Sequence, residues 1–203
     1  MGGEDPYGAS KSAAEIAINS YVKSFFSDKK NSNIIISARA GNVIGGGDWS
    51  ENRLIPDCVR SWSVKKSVKI RNLKSTRPWQ HVLDVIYGYL LLGAKAKLNK
   101  KLHGESFNFG PDMKNNYKVI EVLRKSKNFW KNVKWNKDKK KIFKENTLLN
   151  LNNYKAKKIL KWKPVLNFNN TIKLTIEWYK CRYLKEKMTM KSINQIKYYK
   201  NLI

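Results

Sequence analysis

The sequence predicts an α/β fold built from short strands, some buried in the manner of a parallel sheet. Three observations carry this. A helical pattern over residues 8–26 runs into a short apolar strand at 33–38 and then a glycine-rich loop at 41–47. Further short strand-like runs, at 67–71 and 105–109, alternate with helical patterns at 53–64 and 80–98. No internal repeat is visible, and no linker longer than a turn divides the 203 residues into two cores.

Each element has a local reason. In the first helix Ala13, Ile16, Ala17, Tyr21 and Phe25 recur at helical spacing. The run NIIISA at 33–38 is too short for a helix and rich in branched residues. The helix over 53–64 tolerates Pro56 because the first turn has amides with no intrahelical partner. The pattern over 80–98 is a long apolar helix, and ESFNF at 105–109 is a strand ended by Gly110-Pro111. A basic amphipathic helix follows at 117–130, then a strand at 133–135 and a helix at 153–160 that stops before KWKP. Asn167 or Asn170 caps a last helix reaching about residue 187, and 188–203 reads as a loosely attached basic tail.

Composition excludes several classes. The longest apolar run, 87–96, is broken by Gly88 and Gly93 and falls short of the roughly 18 residues a membrane span needs. The N-terminal MGGEDP is acidic and has no apolar core of a secretory signal, so a cytoplasmic location is expected. Cys58 and Cys181 are far apart and form no CxxC, and are expected to be free thiols. His81 and His103 are not spaced as metal ligands, so no metal is expected. The net charge of +27 is concentrated late: residues 1–113 hold 17 basic against 10 acidic side chains, residues 114–203 hold 25 against 5. Those 25 comprise 23 Lys and only 2 Arg. Nucleic-acid readers favour arginine for bidentate contacts, so a solvated, lysine-enriched surface is preferred over a nucleic-acid interface.

The chemistry begins with DPYGASK. Tyr7 and Lys11 stand one helical turn apart on one face. An ammonium beside a phenol favours the phenolate, which can then accept a hydroxyl proton while hydride leaves the same carbon. The spacing alone is unspecific, since Tyr154/Lys158 and Tyr183/Lys187 share it. The small residues Gly8, Ala9 and Ser10 and the helix–strand–polar loop order set Tyr7/Lys11 apart, because ligands of such folds sit beyond the carboxyl ends of strands. The loop Gly45–Gly47 has no following Lys-Ser/Thr and is no P-loop; it is either a turn or a phosphate cradle.

The segments MGGEDPYGASKSAAE, RAGNVIGGGDW, RLIPD, IRN, RPWQHVLD, GYLLL and FNFGP stand in an order and spacing that resembles the CDP-glucose 4,6-dehydratases, NAD-dependent members of the extended short-chain dehydrogenases. The resemblance covers about residues 1–180, including KAKKILKWKP, with Lys161 where the family has glycine. It implies an incomplete Rossmann-like parallel sheet with a smaller mixed α/β sugar-nucleotide-binding domain. It implies NAD as cofactor, with Tyr7 and Lys11 at the nicotinamide ribose, Tyr7 assisting oxidation at C4 of the glucose, and Val43 against the nicotinamide. It implies substrate contacts at Asn42, Arg53, Leu54, Ile70, Arg71, Arg77 and Asn108, with Arg77 gripping the diphosphate. Glu145 falls near a His-Glu pair of the family, with Lys144 in place of the histidine.

Another reading stays open for Arg77, which could instead pair with Asp84 at the surface. Trp79 reads as core, and His81 as either core or site. The family's opening strand and glycine-rich dinucleotide turn have no counterpart, since no G-x-x-G-x-x-G occurs. A truncated or split gene is the expected account, with the acid and base for loss of water in the missing part. The expected division is 1–45 with 72–98 as the remnant of the dinucleotide domain, 46–71 with 99–187 as the substrate domain, and 188–203 as tail. Expected partners are CDP-glucose or a related sugar nucleotide, and a second copy or a separately encoded N-terminal half. The rivals are a sugar-nucleotide epimerase, a non-catalytic binding remnant and a nucleic-acid-binding protein.

Overall fold

A computed structural model describes residues 5–27, 33–112, 115–138 and 151–203. Helix α1 (Pro6–Phe25) starts where Asp5 accepts the Gly8 amide at 2.9 Å and Pro6 takes the first position, where a missing N–H costs nothing. Its expected apolar face is mostly in solvent: Ile16, Tyr21 and Phe25 are exposed, and Val22 is the one buried residue of the helix.

Strand β1 (Ser37–Ala40) lies later than the expected 33–38. The reason is its partner. Parallel pairing with β6 (Ser106–Phe109) runs from Ser37↔Ser106 to Ala40↔Phe109, so a ladder exists only from residue 37. Ile35 is held instead by single bonds, accepting from the Gly104 amide and donating to His103 Nδ1. After β1 come β2 (Val43–Ile44), α2 (Leu54–Ser63), β3 (Val68–Ile70), β4 (Thr76–Arg77) and β5 (Gln80–His81). The start of the expected helix at 80 is therefore strand: β5 pairs in parallel with β2, and His81 then caps α3 (Val82–Leu98).

A 3₁₀ turn (Lys100–Leu102) precedes β6. Strand β7 (Tyr117–Lys118) pairs antiparallel with β4, which removes two residues from the expected helix and leaves α4 (Val119–Ser126). Strand β8 (Trp135–Lys137) pairs in parallel with β3. A π-helical turn (Ala156–Leu160) ends at Lys161, which adopts the left-handed φ of 58° that glycine favours. Asn167 then caps α5 (Phe168–Tyr183) by accepting the Asn170 amide at 2.9 Å.

The chain's end differs from expectation. Residues of the supposed loose tail form α6 (Met188–Lys200), whose Gln195 and Tyr199 are buried. Gln195 donates to the Leu174 carbonyl and Trp178 donates to Ser192, so α6 is bonded along α5. Weak helical periodicity misled because the anchors are polar atoms rather than an apolar stripe.

The main core forms where α2 presents Ile55, Cys58, Val59 and Trp62, at i, i+3, i+4 and i+7, to α4 and α5. Ile44 and Trp79 join it, so it reaches from the residues after α1 to Tyr179. A second core packs Phe107 and Phe109 of β6 with Leu92, Leu160 and Trp162. There α3 approaches so closely that a Cβ on Gly88 would lie 2.4 Å from the Phe109 ring. Strand β6, from the expected substrate segment, is thus hydrogen-bonded to β1 of the expected dinucleotide segment. No helix among the described residues is long and apolar enough to cross a membrane.

Candidate active site

The ends of β1 and β6 lie side by side, and the loop after β1 leaves from there through Gly41, Asn42 and Val43. Two backbone attachments fix that loop. The Asn42 carbonyl accepts the Gln80 amide at 3.1 Å, and Val43 stands opposite Gln80 in the β2–β5 pair. Gln80 is buried and also donates from its side chain to the Phe109 carbonyl at 2.8 Å, tying β5 to β6 beneath the loop.

Tyr7 and Lys11 lie on the same face of α1, with Lys11 Nζ 5.4 Å from the Tyr7 ring centroid. Tyr7 is 73% exposed. Lys158 stands over Tyr154 at 5.7 Å in the same way, so helical spacing alone produces this contact. What distinguishes α1 is its attachment. Glu15, four residues beyond Lys11, receives Arg39 of β1 in a two-bond fork, Nε to Oε1 at 2.8 Å and Nη2 to Oε2 at 3.2 Å. Arg39 also donates from Nη1 to Asn108 Oδ1 at 3.2 Å, and Ser106 Oγ reaches Glu15 at 3.4 Å. Farther along, Val22 meets Gly104, and Ile18 and Val22 face Ile35 across a small cavity. Helix α1 therefore runs antiparallel to β1, its Tyr7 end toward the loop.

The remaining residues fall as follows. Arg53 caps α2 through its backbone and holds its side chain 3.7 Å from Asp48; Leu54 packs half-buried on the main core. Ile70 is buried in that core, so what it can offer a ligand is backbone, and its carbonyl accepts the Asp138 amide. Arg71 follows it at the surface. Arg77 is half-buried and donates from Nη1 to the Thr76 carbonyl at 2.8 Å. Asn108 has both ends of its amide engaged, accepting from Arg39 and donating to the Asn152 carbonyl at 3.2 Å. Glu145 lies outside the described residues.

Asp84 is not at the surface, so the surface pair with Arg77 is corrected. It is fully buried, and its carboxylate accepts from the Val165 amide and the Tyr199 hydroxyl, both at 2.9 Å, and from the Leu166 amide at 3.4 Å. Burial raises its pKa while these donors pull it down. Trp79 is core, with its indole donating to the Tyr117 carbonyl at 2.9 Å. His81 is also interior: Nδ1 accepts the Leu83 amide, Nε2 is buried with no partner, and burial lowers its pKa to about 4. Within the glycine loop Gly46 has a packing reason, because a Cβ there would lie 2.0 Å from Trp178 Cδ2. Asp48, at the loop's end, accepts the buried Tyr179 hydroxyl on its carbonyl at 2.6 Å. Both cysteines are free, Cys58 fully buried and Cys181 half-buried.

Glu15 closes the motif YGASKSAAE and Arg39 opens RAGNVIGGGDW, yet neither had a role in the sequence reading; opposite charges at the facing ends of two successive motifs were the available signal. Trp178 and Tyr199 carried no signal, since their partners are distant in sequence. Among the described residues no cluster of acidic, histidine or cysteine side chains is arranged to hold a metal ion.

Residues 1–175 match the model of the GDP-mannose 4,6 dehydratase family. A CDP-glucose 4,6-dehydratase of Salmonella typhimurium is 36% identical over 203 residues; the match covers 98% of this chain and 56% of that protein, its C-terminal part. The chain thus spans about half the length of that relative. An epimerase of Methanothermobacter thermautotrophicus superposes with a TM-score of 0.75 at 20% identity, over 91% of this chain and 53% of that one. A dTDP-glucose 4,6-dehydratase of Bacillus anthracis, solved with NAD, gives 0.71 at 21% identity, over 92% and 55%. These solved structures share the fold of this chain. With a family model matched from residue 1 to 175 and a sugar-nucleotide dehydratase aligned over 98% of the chain, this chain belongs to the GDP-mannose 4,6 dehydratase family.

Proposed function

We propose that the chain provides the sugar-nucleotide side and the Tyr7/Lys11 pair of a CDP-glucose 4,6-dehydratase, and that alone it does not turn over. The reaction removes hydride from C4 and the proton of its hydroxyl, takes a proton from C5, protonates and expels the C6 hydroxyl as water, then returns the hydride to C6 and a proton to C5. The product is CDP-4-keto-6-deoxyglucose. Bound NAD supplies the hydride acceptor and donor. The residues assigned to it belong only to its nicotinamide end: Tyr7 and Lys11 beside the small residues 8–10, and Val43 of the loop after β1. No strand, glycine-rich turn and helix for the pyrophosphate occurs among the described residues.

The observation that carries this reading is the register of α1 against β1. From Glu15 back to Tyr7 is eight residues, or about 12 Å of helix. The same distance beyond Arg39 at about 3.3 Å per residue reaches residues 42–43. This supports Tyr7 standing level with Asn42 and Val43, beyond the carboxyl ends of β1 and β6, where such folds take ligands. Tyr7 then accepts the C4 hydroxyl proton with Lys11 one turn along on the same face, and Asn42 orients the sugar. Arg77 grips the diphosphate, for which a planar fork is suited, Arg53 and Leu54 open the helix that covers the nucleotide, and Ile70 and Arg71 hold the base. Asn108 serves through its engaged amide, aligning Arg39 as much as touching substrate.

The exposed Ile16, Tyr21 and Phe25 support a covering partner, and the reading names a separately encoded half with the dinucleotide turn; a second copy is the alternative. Titration calorimetry with CDP, CDP-glucose and NAD in turn tests the assignment. Heat with CDP-glucose and little with NAD is expected, and no heat with CDP-glucose overturns the substrate side. Appreciable formation of the alkaline 4-keto chromophore by the chain alone overturns its inactivity. In a complemented enzyme, an epimerised sugar with no 4-keto product would favour the epimerase reading.

A further inference from the structure

We infer that Arg39 is a positioning residue, whose guanidinium sets the rotation of α1 about its own axis and so the place of Tyr7 and Lys11 relative to Asn42 and Val43. The functional consequence rests on the reading above that Tyr7 and Lys11 serve the hydride steps; the mechanical part does not.

Helix α1 is weakly seated by apolar contact, since Val22 alone of its side chains is buried and lies near its far end. Tyr7, Lys11 and Glu15 recur every fourth residue, each about 40° around the axis from the last, so they form one slowly drifting stripe. Holding Glu15 therefore fixes the direction of the whole stripe. A slip of one residue would turn it by about 100° and break every Glu15 bond. Glu15 is held at three points, by Arg39 Nε, Arg39 Nη2 and Ser106 Oγ. Arg39 is itself braced, because its third nitrogen meets Asn108, whose amide continues to the Asn152 carbonyl. The brace spans β1 and β6, the paired strands from which the loop bearing Asn42 and Val43 departs.

A single surface ion pair would hold little. Here the fork is bidentate and the Glu15 side chain is only 18% exposed, against 41% for Arg39. Planar two-bond pairing constrains angle as well as distance, which one ammonium cannot do.

The test is hydrogen exchange on this chain, resolved by segment. Arg39→Met is expected to speed exchange of the α1 amides about tenfold while leaving α5 unchanged, because the tether and not the core is lost. Arg39→Lys should recover part of the protection, and the exchanged pair Glu15→Arg with Arg39→Glu more than either single change. Unchanged α1 exchange in Arg39→Met overturns the inference. So does an equal acceleration in α1 and α5, which would mark a general loss of stability. Calorimetry of the unaltered chain with CDP-glucose addresses the substrate reading separately, so the failure of one is distinguishable from failure of the other.

Discussion

Tyr199→Phe isolates a single bond at the junction of three distant segments. The hydroxyl donates to Asp84 Oδ1 at 2.9 Å inside a site where Asp84 is fully buried and Tyr199 only 5% exposed. The ring itself stays packed, edge-on to Tyr87 at 6.2 Å and against Leu166 and Leu174. The substitution thus removes one charge-assisted donor and little else, a loss of about 2 kcal/mol. For a chain of this size that is a fall in melting temperature of about 4–8 °C. Asp84→Ala removes the acceptor and strands the Val165 and Leu166 amides and the Tyr199 hydroxyl in a dry interior, costing about 4 kcal/mol. Combining the two should cost scarcely more than Asp84→Ala alone, because the hydroxyl has already lost its partner. Urea denaturation of the four proteins at constant m-value measures this. Strict additivity, or a Tyr199→Phe cost within about 0.5 kcal/mol of zero, would refute the view that this bond anchors α6.

Three further outcomes follow from single environments. His81 has a folded pKa of about 4 against 6.5 when free, so the folded state binds fewer protons and stability falls as pH drops through that window. The loss should approach about 3 kcal/mol by pH 4, and His81→Asn, which keeps an acceptor for the Leu83 amide, should flatten the slope of denaturation midpoint against pH. Gly46→Ala puts a methyl into the Trp178 ring and should cost about 2 kcal/mol, less when combined with Trp178→Leu; equal costs in both backgrounds would count against a shared contact. Titration with a thiol reagent should label Cys181 promptly and Cys58 only on unfolding, since Cys58 is fully buried and its thiol is pushed far up by desolvation; prompt labelling of two thiols would contradict the packing of α2.

How much of this was legible in the sequence depends on the range of the interaction. Elements fixed by neighbouring residues were readable: the helix over 53–64 that tolerates Pro56 near its start is α2, and Asn167, one of two candidate caps, starts α5. Elements fixed by a remote partner were displaced. Strand β1 moved because β6 sets where its ladder begins, and β5 and β7 are two-residue strands that only pairing with β2 and β4 distinguishes from helix. The motifs of the site were visible as words, but not which residues hold others. Arg39, Glu15 and Gln80 read as ordinary polar positions until their bonds are seen.

The polar loop after β1 is supported from two directions that the sequence order separates widely. On one side Arg39 and Gln80 bind its base to α1, β5 and β6. On the other, Trp178 fills the space that the absence of a side chain on Gly46 leaves, and Tyr179 holds the Asp48 carbonyl. Trp178 is in turn held by Ser192 of α6, which Tyr199 pins to Asp84 at the start of α3. Helix α6 is therefore a brace behind the loop. Its removal should loosen Trp178 and with it the placement of Asn42 and Val43. A chain ending before residue 188 that retained full protection of the loop amides in hydrogen exchange would show that α5 holds Trp178 unaided.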